Sequence, residues 1–392
     1  MTRRKRRRLT AAVKLCLLIA LPLGLAAGAR GVSGIRSALV QTSSLSAGKT
    51  PSAGASVDYP EKALVRQEVP EEQDILNSAV ILSEGYGYAA ETASDVVTRL
   101  KSPLEMTSDD PGDKPYPADS QWNTGGGQII RNTYGPYSGT TFIDLEGGGQ
   151  VNNKTSVSND VLKRESQCFA DFTISDTSEP QVLIYHTHTC ESFEPYVREE
   201  YDPSFNYRTT DETKNVVMVG DAIQAELEAK GIGVIHVRTI HDYPSYNGAY
   251  DRSRESIVPI LEQYPSIKVA LDIHRDAIGG ENTAYQPYSV INGREAAQIM
   301  LISGCDDGTM GMPDYMKNFH FACRFQEKLE SDSPGLTRPI LFDYRHYNQD
   351  LTTGSLLIEV GSHGNTLEQV QYSGQLIGKS LGELLDSMKE DK

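Results

Sequence analysis

From Gln181 onward the chain alternates between short apolar runs and longer stretches of helical spacing. Gln181–Tyr185 is an apolar run of the length expected for a buried strand. From Asn215 to Lys230 the spacing of Val216, Val219, Ile223 and Leu227 predicts a helix, with Gly231 where a C-terminal cap belongs. Val234–Val237 reads as a strand and Tyr250–Gln263 as a helix turning Ile257, Ile260 and Leu261 inward. Ile267–Ile273 and Gln298–Ile302 predict strands, and Pro313–Leu329 a helix. Ser355–Val360 predicts a last strand, followed by a helix from Thr366, where Thr366 and Gln369 have capping-box spacing. Strands and helices alternating this way imply an α/β domain: a mostly parallel sheet with helices on both faces. There is no internal repeat.

The N-terminal third has a different pattern. Leu15–Ala29 is apolar and uncharged, and Arg3, Arg4, Lys5, Arg6, Arg7, Arg8 and Lys14 precede it. Basic residues followed by an apolar run describe an export signal, with the charged end kept in the cytoplasm. Residues 1–29 are therefore expected to be a single-pass membrane anchor; Ala27–Ala29 also fits a signal cleavage site. Residues 30–70, rich in Ser, Ala and Gly, read as a tether. Short helices are expected over 71–104, and a Pro-, Gly- and Asp-rich linker over 107–127. The expected organisation is thus an anchor (1–29), a tether with short helices and linker (30–128), and a catalytic domain (129–392) outside the cytoplasm.

Charge narrows the partners. The chain carries 37 basic and 53 acidic side chains, a formal net charge of −16. Seven of the basic residues lie within the first 14, so the rest of the chain holds 30 against 53, or −23. So acidic a body repels nucleic-acid phosphates, which excludes nucleic acid as a partner. The five cysteines form no Cys-x-x-Cys pair and no disulfide framework.

Three polar groups fall at the carboxyl ends of predicted strands, where α/β sheets bind ligands. Tyr185–Glu191 follows the first strand and contains His186, His188 and Glu191. His188 and Glu191, three residues apart, can reach one cation from a single turn, and imidazole with carboxylate suits zinc. Next, the run Leu271–Ile273 ends in His274-Arg275-Asp276, which supplies a further imidazole, with Asp272 or Asp276 to orient it. Third, Glu359 interrupts the apolar run Leu356–Val360, a costly position for a carboxylate without a function or a partner. His188, Glu191 and His274 make a three-ligand zinc site with an open fourth position, and Glu359 is the candidate general base and proton donor. His236, His241, His320 and His346 read as structural, and His363 as a residue of the cleft rim.

The segments VLIYHTHTCESFEP (182–195), NVVMVGDAI (215–223), LDIHRDAI (271–278), NQDLTTGSLLIEVGSHGNTLEQ (348–369) and NTYGPYSGTTFIDLEGGGQVNNKT (132–155) occur in one order. At these segments the chain resembles the stage II sporulation protein P family of endospore-forming bacteria, itself similar in fold to zinc-dependent N-acetylmuramoyl-L-alanine amidases. The resemblance implies a peptidoglycan hydrolase that cleaves the amide between glycan and stem peptide and also peptide cross-links. It further implies a role in engulfment, with stage II sporulation proteins D and M as partners.

The resemblance also bears on the ligands. It favours His188 over His186 and matches His274 and Glu359 to a ligand and a late strand-borne glutamate. It leaves the middle ligand open between Glu191, favoured by local spacing, and Asp211, which stands ahead of the helix at Asn215. Two other readings compete: a carboxypeptidase-like zinc peptidase and a non-catalytic wall-binding scaffold.

Overall fold

The computed structural model describes residues 113–123, 126–175, 179–280 and 282–389. The expected anchor, tether and short helices over 71–104 lie outside the described residues. No helix among the described residues is long and apolar enough to cross a membrane.

The elements in chain order are β1 (Gly127–Asn132), β2 (Phe142–Asp144), β3 (Gln150–Asn153), α1 (Asn159–Glu165), β4 (Pro180–Tyr185), β5 (Glu200–Tyr201), α2 (Val217–Ala229), β6 (Gly233–His236) and α3 (Ala249–Gln263). They continue with β7 (Val269–Asp276), β8 (Gly279–Gly280), β9 (Thr283–Ile291), β10 (Arg294–Ala297), β11 (Ile299–Gly304), α4 (Tyr315–Asp332), β12 (Ile340–Asp343), β13 (Gly354–Ser362) and α5 (Leu367–Ser387). The main sheet has the order β2-β3-β12-β11-β13-β7-β4-β6. Strands β13, β7, β4 and β6 are mutually parallel. The direction reverses between β13 and β11, and again between β3 and β2 at the edge. The sheet is therefore mostly parallel, as the alternating pattern predicts.

Alternation along the buried strands assigns the two faces. Val182 and Ile184 of β4, Leu271 and Ile273 of β7, and Leu356 and Ile358 of β13 enter the large core with Val219 and Ile223 of α2, Phe319 and Phe325 of α4, and Ile377 and Leu381 of α5. Leu183 and Tyr185 of β4 and Ala270 of β7 point the other way, onto Ile257 and Ile260 of α3. Helices thus cover both faces. The start of α5 carries the expected capping box: the Thr366 hydroxyl accepts from the Gln369 amide, and the Gln369 side chain accepts from Thr366 N–H.

A second sheet, β10-β9-β1-β5 with β8 on β9, is not foreseen in the apolar pattern. Its β9–β10 hairpin turns at Asn292-Gly293, both at positive φ (51° and 76°), as a two-residue turn of this kind requires. The Pro- and Gly-rich stretch expected to be linker is docked where it is described. Trp122 packs with Ile129, Tyr201, Tyr207 and Ala284, and the Tyr116 hydroxyl donates to the Phe193 carbonyl at 2.7 Å. Packed structure thus includes residues ahead of Ile129, because Tyr116 and Trp122 find an aromatic shelf in Phe205 and Tyr207. The same sheet braces the loop after β13, since Asn365 Nδ2 donates to Pro287 O at 2.9 Å and Gln286 Nε2 to Gly364 O at 2.6 Å.

Candidate metal centre

Strand β7 lies between β13 and β4, so the carboxyl ends of three adjacent parallel strands meet at one edge. Register carries the alignment to single residues: Tyr185 pairs with Asp272, and Glu359 with His274. Laterally paired residues in a sheet present side chains on the same face. Asp272, His274 and Glu359 therefore share the face covered by α3. Beyond Glu359 the pairing shifts before Ser362, and Gly361 adopts φ 64°. A Cβ at Gly361 would stand 2.6 Å from Asn365 Oδ1, so only glycine lets the strand turn there.

The loop after β4 brings its ligand candidates to the same place. Glu191 N–H donates to His188 O at 3.1 Å, closing a turn that directs both side chains toward β7. His188, Glu191 and His274 each offer an atom, and these atoms lie within 4.8 Å of one another. His188 Nδ1 is 3.5 Å from Glu191 Oε1, and His274 Nδ1 is 3.5 Å from Glu191 Oε2. These separations are long for charge-assisted hydrogen bonds. Ligand atoms about 2.0–2.1 Å from a tetrahedral zinc ion lie about 3.4 Å apart, so the two histidines and the carboxylate fit the ion. The imidazole rings stand 4.9 Å apart, at 77° to one another.

A shell of polar contacts fixes these three groups. His274 Nε2 lies 2.9 Å from Asp272 Oδ1, which leaves Nδ1 to face Glu191. Asp272 itself accepts from Thr187 N at 2.8 Å and from Thr187 Oγ1 at 2.7 Å. The Arg275 amide donates to Glu191 Oε2 at 3.0 Å, and Arg208 approaches Oε1 at 3.4 Å while pairing with buried Asp242. Burial alone would raise the Glu191 pKa, but the facing imidazoles of His188 and His274 and the Arg275 charge hold it well below the usual carboxylate range. Burial lowers the His188 pKa. At His274 burial acts in the same direction, but the charges of Asp272 and Glu191 overcome it and favour the proton.

The other candidates fall elsewhere. His186 is two residues from His188 but projects to the opposite face of the sheet. Its Nδ1 is 3.0 Å from Ile273 O and its Nε2 is 2.8 Å from His236 Nε2, beneath α2. A Cβ at Gly220 of α2 would lie 2.5 Å from His236 Nε2, so the helix approaches this pair only because that position is glycine. Asp211 is engaged with Thr213, accepting from its amide at 3.0 Å and its hydroxyl at 2.7 Å, and does not join the cluster. His241 is buried between His186 O and Ser256 Oγ, and His346 pairs with Asp350. His363 packs on Tyr201 and Tyr207, and burial with the Arg275 charge lowers its pKa to about 3. Cys190 is a buried free thiol whose pKa is raised by burial and by Asp242, which keeps it protonated.

Four residues lining the site carried no signal in the motifs. Tyr246 stacks on His188 at 4.5 Å with Arg208 over its ring, and Asp242 anchors Arg208. Tyr250 lies 5.6 Å from the His188 ring and 6.4 Å from the His274 ring. Burial, followed by the charges of Tyr347, Asp272 and Glu359, holds the Tyr250 phenol well above its ordinary pKa.

Among solved structures the chain is similar to the N-acetylmuramoyl-L-alanine amidase AmiC2 of Nostoc punctiforme, at 10% identity and TM-score 0.32, covering 53% of this chain and 96% of that one. It is also similar to the CwlD amidase of Clostridioides difficile, solved in complex with the GerS lipoprotein, at 12% identity and TM-score 0.31, covering 53% and 99%. Stage II sporulation protein P of Bacillus subtilis (strain 168) is 29% identical over 216 residues, which cover 52% of this chain and 50% of that protein. The chain thus matches about half the length of that curated relative. The family model described as Stage II sporulation protein P (SpoIIP) matches residues 143–382, well over half of the chain, and the chain belongs to that family.

Proposed function

We propose that this protein is a zinc-dependent peptidoglycan hydrolase that cleaves the N-acetylmuramoyl-L-alanine amide bond and peptide cross-links during engulfment in endospore formation. The observation that carries the reading is the convergence of His188, Glu191 and His274, with Glu359 in register beside His274. Membership of the sporulation family supports the wall as substrate. In this reading residues 1–29 anchor the protein in the cell membrane, the domain works outside the cytoplasm, and stage II sporulation proteins D and M are its partners.

His188, Glu191 and His274 would hold the zinc ion. When bound, zinc would supply Lewis-acid polarisation of the scissile carbonyl and acidify a water molecule. The Glu359 carboxylate would accept the proton of the attacking water and return it to the leaving nitrogen. Asp272 would hold His274 in the tautomer that leaves Nδ1 free for the ion.

Two observations disfavour the alternatives. A carboxypeptidase needs a cationic pocket for a free carboxylate, and the Arg275 guanidinium is spent on the carbonyls of Ser192, Tyr207 and Asp276. A scaffold has no need to gather two imidazoles and a carboxylate within 4.8 Å.

The test is to incubate the purified chain with peptidoglycan, with and without a zinc chelator, and to identify released fragments by mass spectrometry. Stem peptides released with stripped glycan, lost on chelation and restored by zinc, support an amidase. The absence of release under every metal condition, with and without the D partner, removes the reading.

A further inference from the structure

The Tyr250 hydroxyl stands beside the candidate ligands and has no role in the reading above. Tyr250 occupies the first turn of α3, and its position is fixed without help from that hydroxyl. Its backbone carbonyl accepts from Ser253 Oγ at 3.0 Å and from Asn348 Nδ2 at 3.0 Å. One face of the ring stacks on Tyr347, with centroids 5.1 Å apart and planes at 21°. The ring lies nearly parallel to His274, at 13°, and meets His188 edge-on at 72°. The residue is half-buried, and its hydroxyl makes no hydrogen bond among the described residues.

A phenylalanine would supply the same packing. A phenol whose ring lies beside both candidate ligand histidines and whose hydroxyl has no acceptor among the described residues is matched to an acceptor that arrives with substrate. Tyr246 does not meet this description: it is exposed at the rim, and Arg208 covers its ring.

We propose that Tyr250 is a further catalytic residue of this centre, its phenol donating a hydrogen bond to the scissile carbonyl oxygen as that oxygen gains negative charge. No proton is transferred; the phenol remains protonated throughout, and the bond strengthens as the carbonyl carbon becomes tetrahedral. The inference rests on the hydrolase reading above.

The experiment compares the wild-type chain, Tyr250→Phe and Glu359→Ala on a soluble muramoyl peptide, measuring kcat, KM, zinc per chain and Tm. Removing one such donor lowers kcat by about 100-fold or more. The expected result for Tyr250→Phe is that loss in kcat, with KM, zinc content and Tm unchanged, since the ring and its stacking remain. A kcat within about threefold of wild type, beside an inactive Glu359→Ala, overturns the inference and leaves the hydrolase reading standing. Loss of zinc or a lowered Tm in Tyr250→Phe also overturns it, because the hydroxyl would then serve the ligands or the fold. A wild-type chain without chelator-sensitive activity overturns both.

Discussion

Two groups of metal-type side chains occur in the described residues, and they differ in how their histidines are satisfied. At the end of β7, His188 and His274 each stand 3.5 Å from Glu191, and Asp272 takes the outer nitrogen of His274. Beside α4, Glu165 and Cys168 flank His320, yet both ring nitrogens of His320 already lie at hydrogen-bond distance from carboxylates: 2.8 Å to Asp171 and 3.0 Å to Glu165. The first group leaves a gap that a cation fits. The second is complete as a hydrogen-bonded strut between α1 and α4. Residue types are nearly the same in both, so separation and the use of the second nitrogen decide which is the candidate metal centre.

The sharpest way to break this comparison is His274→Ala. Zinc binding should be lost and turnover should fall by roughly 10⁴-fold or more; unchanged zinc per chain by elemental analysis would remove His274 from the ligand set. Glu359→Ala should lower kcat by about 10²–10⁴-fold while zinc per chain stays at the wild-type value. Zinc loss in that variant would make Glu359 a ligand and leave the proton without its carrier. Asp272→Asn keeps the shape but weakens the hold on His274, and zinc affinity measured by chelator competition should drop about 10- to 100-fold. The smallest effect is expected at the other cluster. His320→Ala should leave zinc stoichiometry and kcat unchanged and cost roughly 1 kcal/mol, a fall in Tm of about 2–4 °C. A drop in bound zinc there would show that the strut is a second metal site.

The candidate site was legible in sequence because polar residues broke apolar runs at strand ends, where burial makes an idle imidazole or carboxylate expensive. His188, Glu191, His274 and Glu359 all announced themselves this way. The face each residue takes was not legible. Tyr185 is buried on the side of α3, so the next residue, His186, projects beneath α2, but a strand buried on both faces shows no alternation from which to read that. The tyrosines at 246 and 250 were silent too, since they belong to a loop and a helix start that meet the strand ends only through tertiary packing. Among the strands, the parallel core carries long apolar runs, whereas β1 and β9 contain Gln128, Arg131 and Gln286 and read as irregular. Asn292-Gly293 did hold a hairpin signal for β9 and β10, but apolar periodicity does not register it.

The placement of β7 between β13 and β4 has a consequence for how this domain can come apart. Proteins open locally at edges and loops, and central strands exchange their amide hydrogens only when the whole unit opens. The amides of Ile273 and His274 belong to that last class, with a neighbouring strand on each side. The ligand-bearing edge is thus attached to the part of the molecule with the fewest routes to partial opening. His274 is therefore held until the sheet itself opens, whereas His188 and Glu191, carried by the loop after β4, share the smaller openings that loops allow.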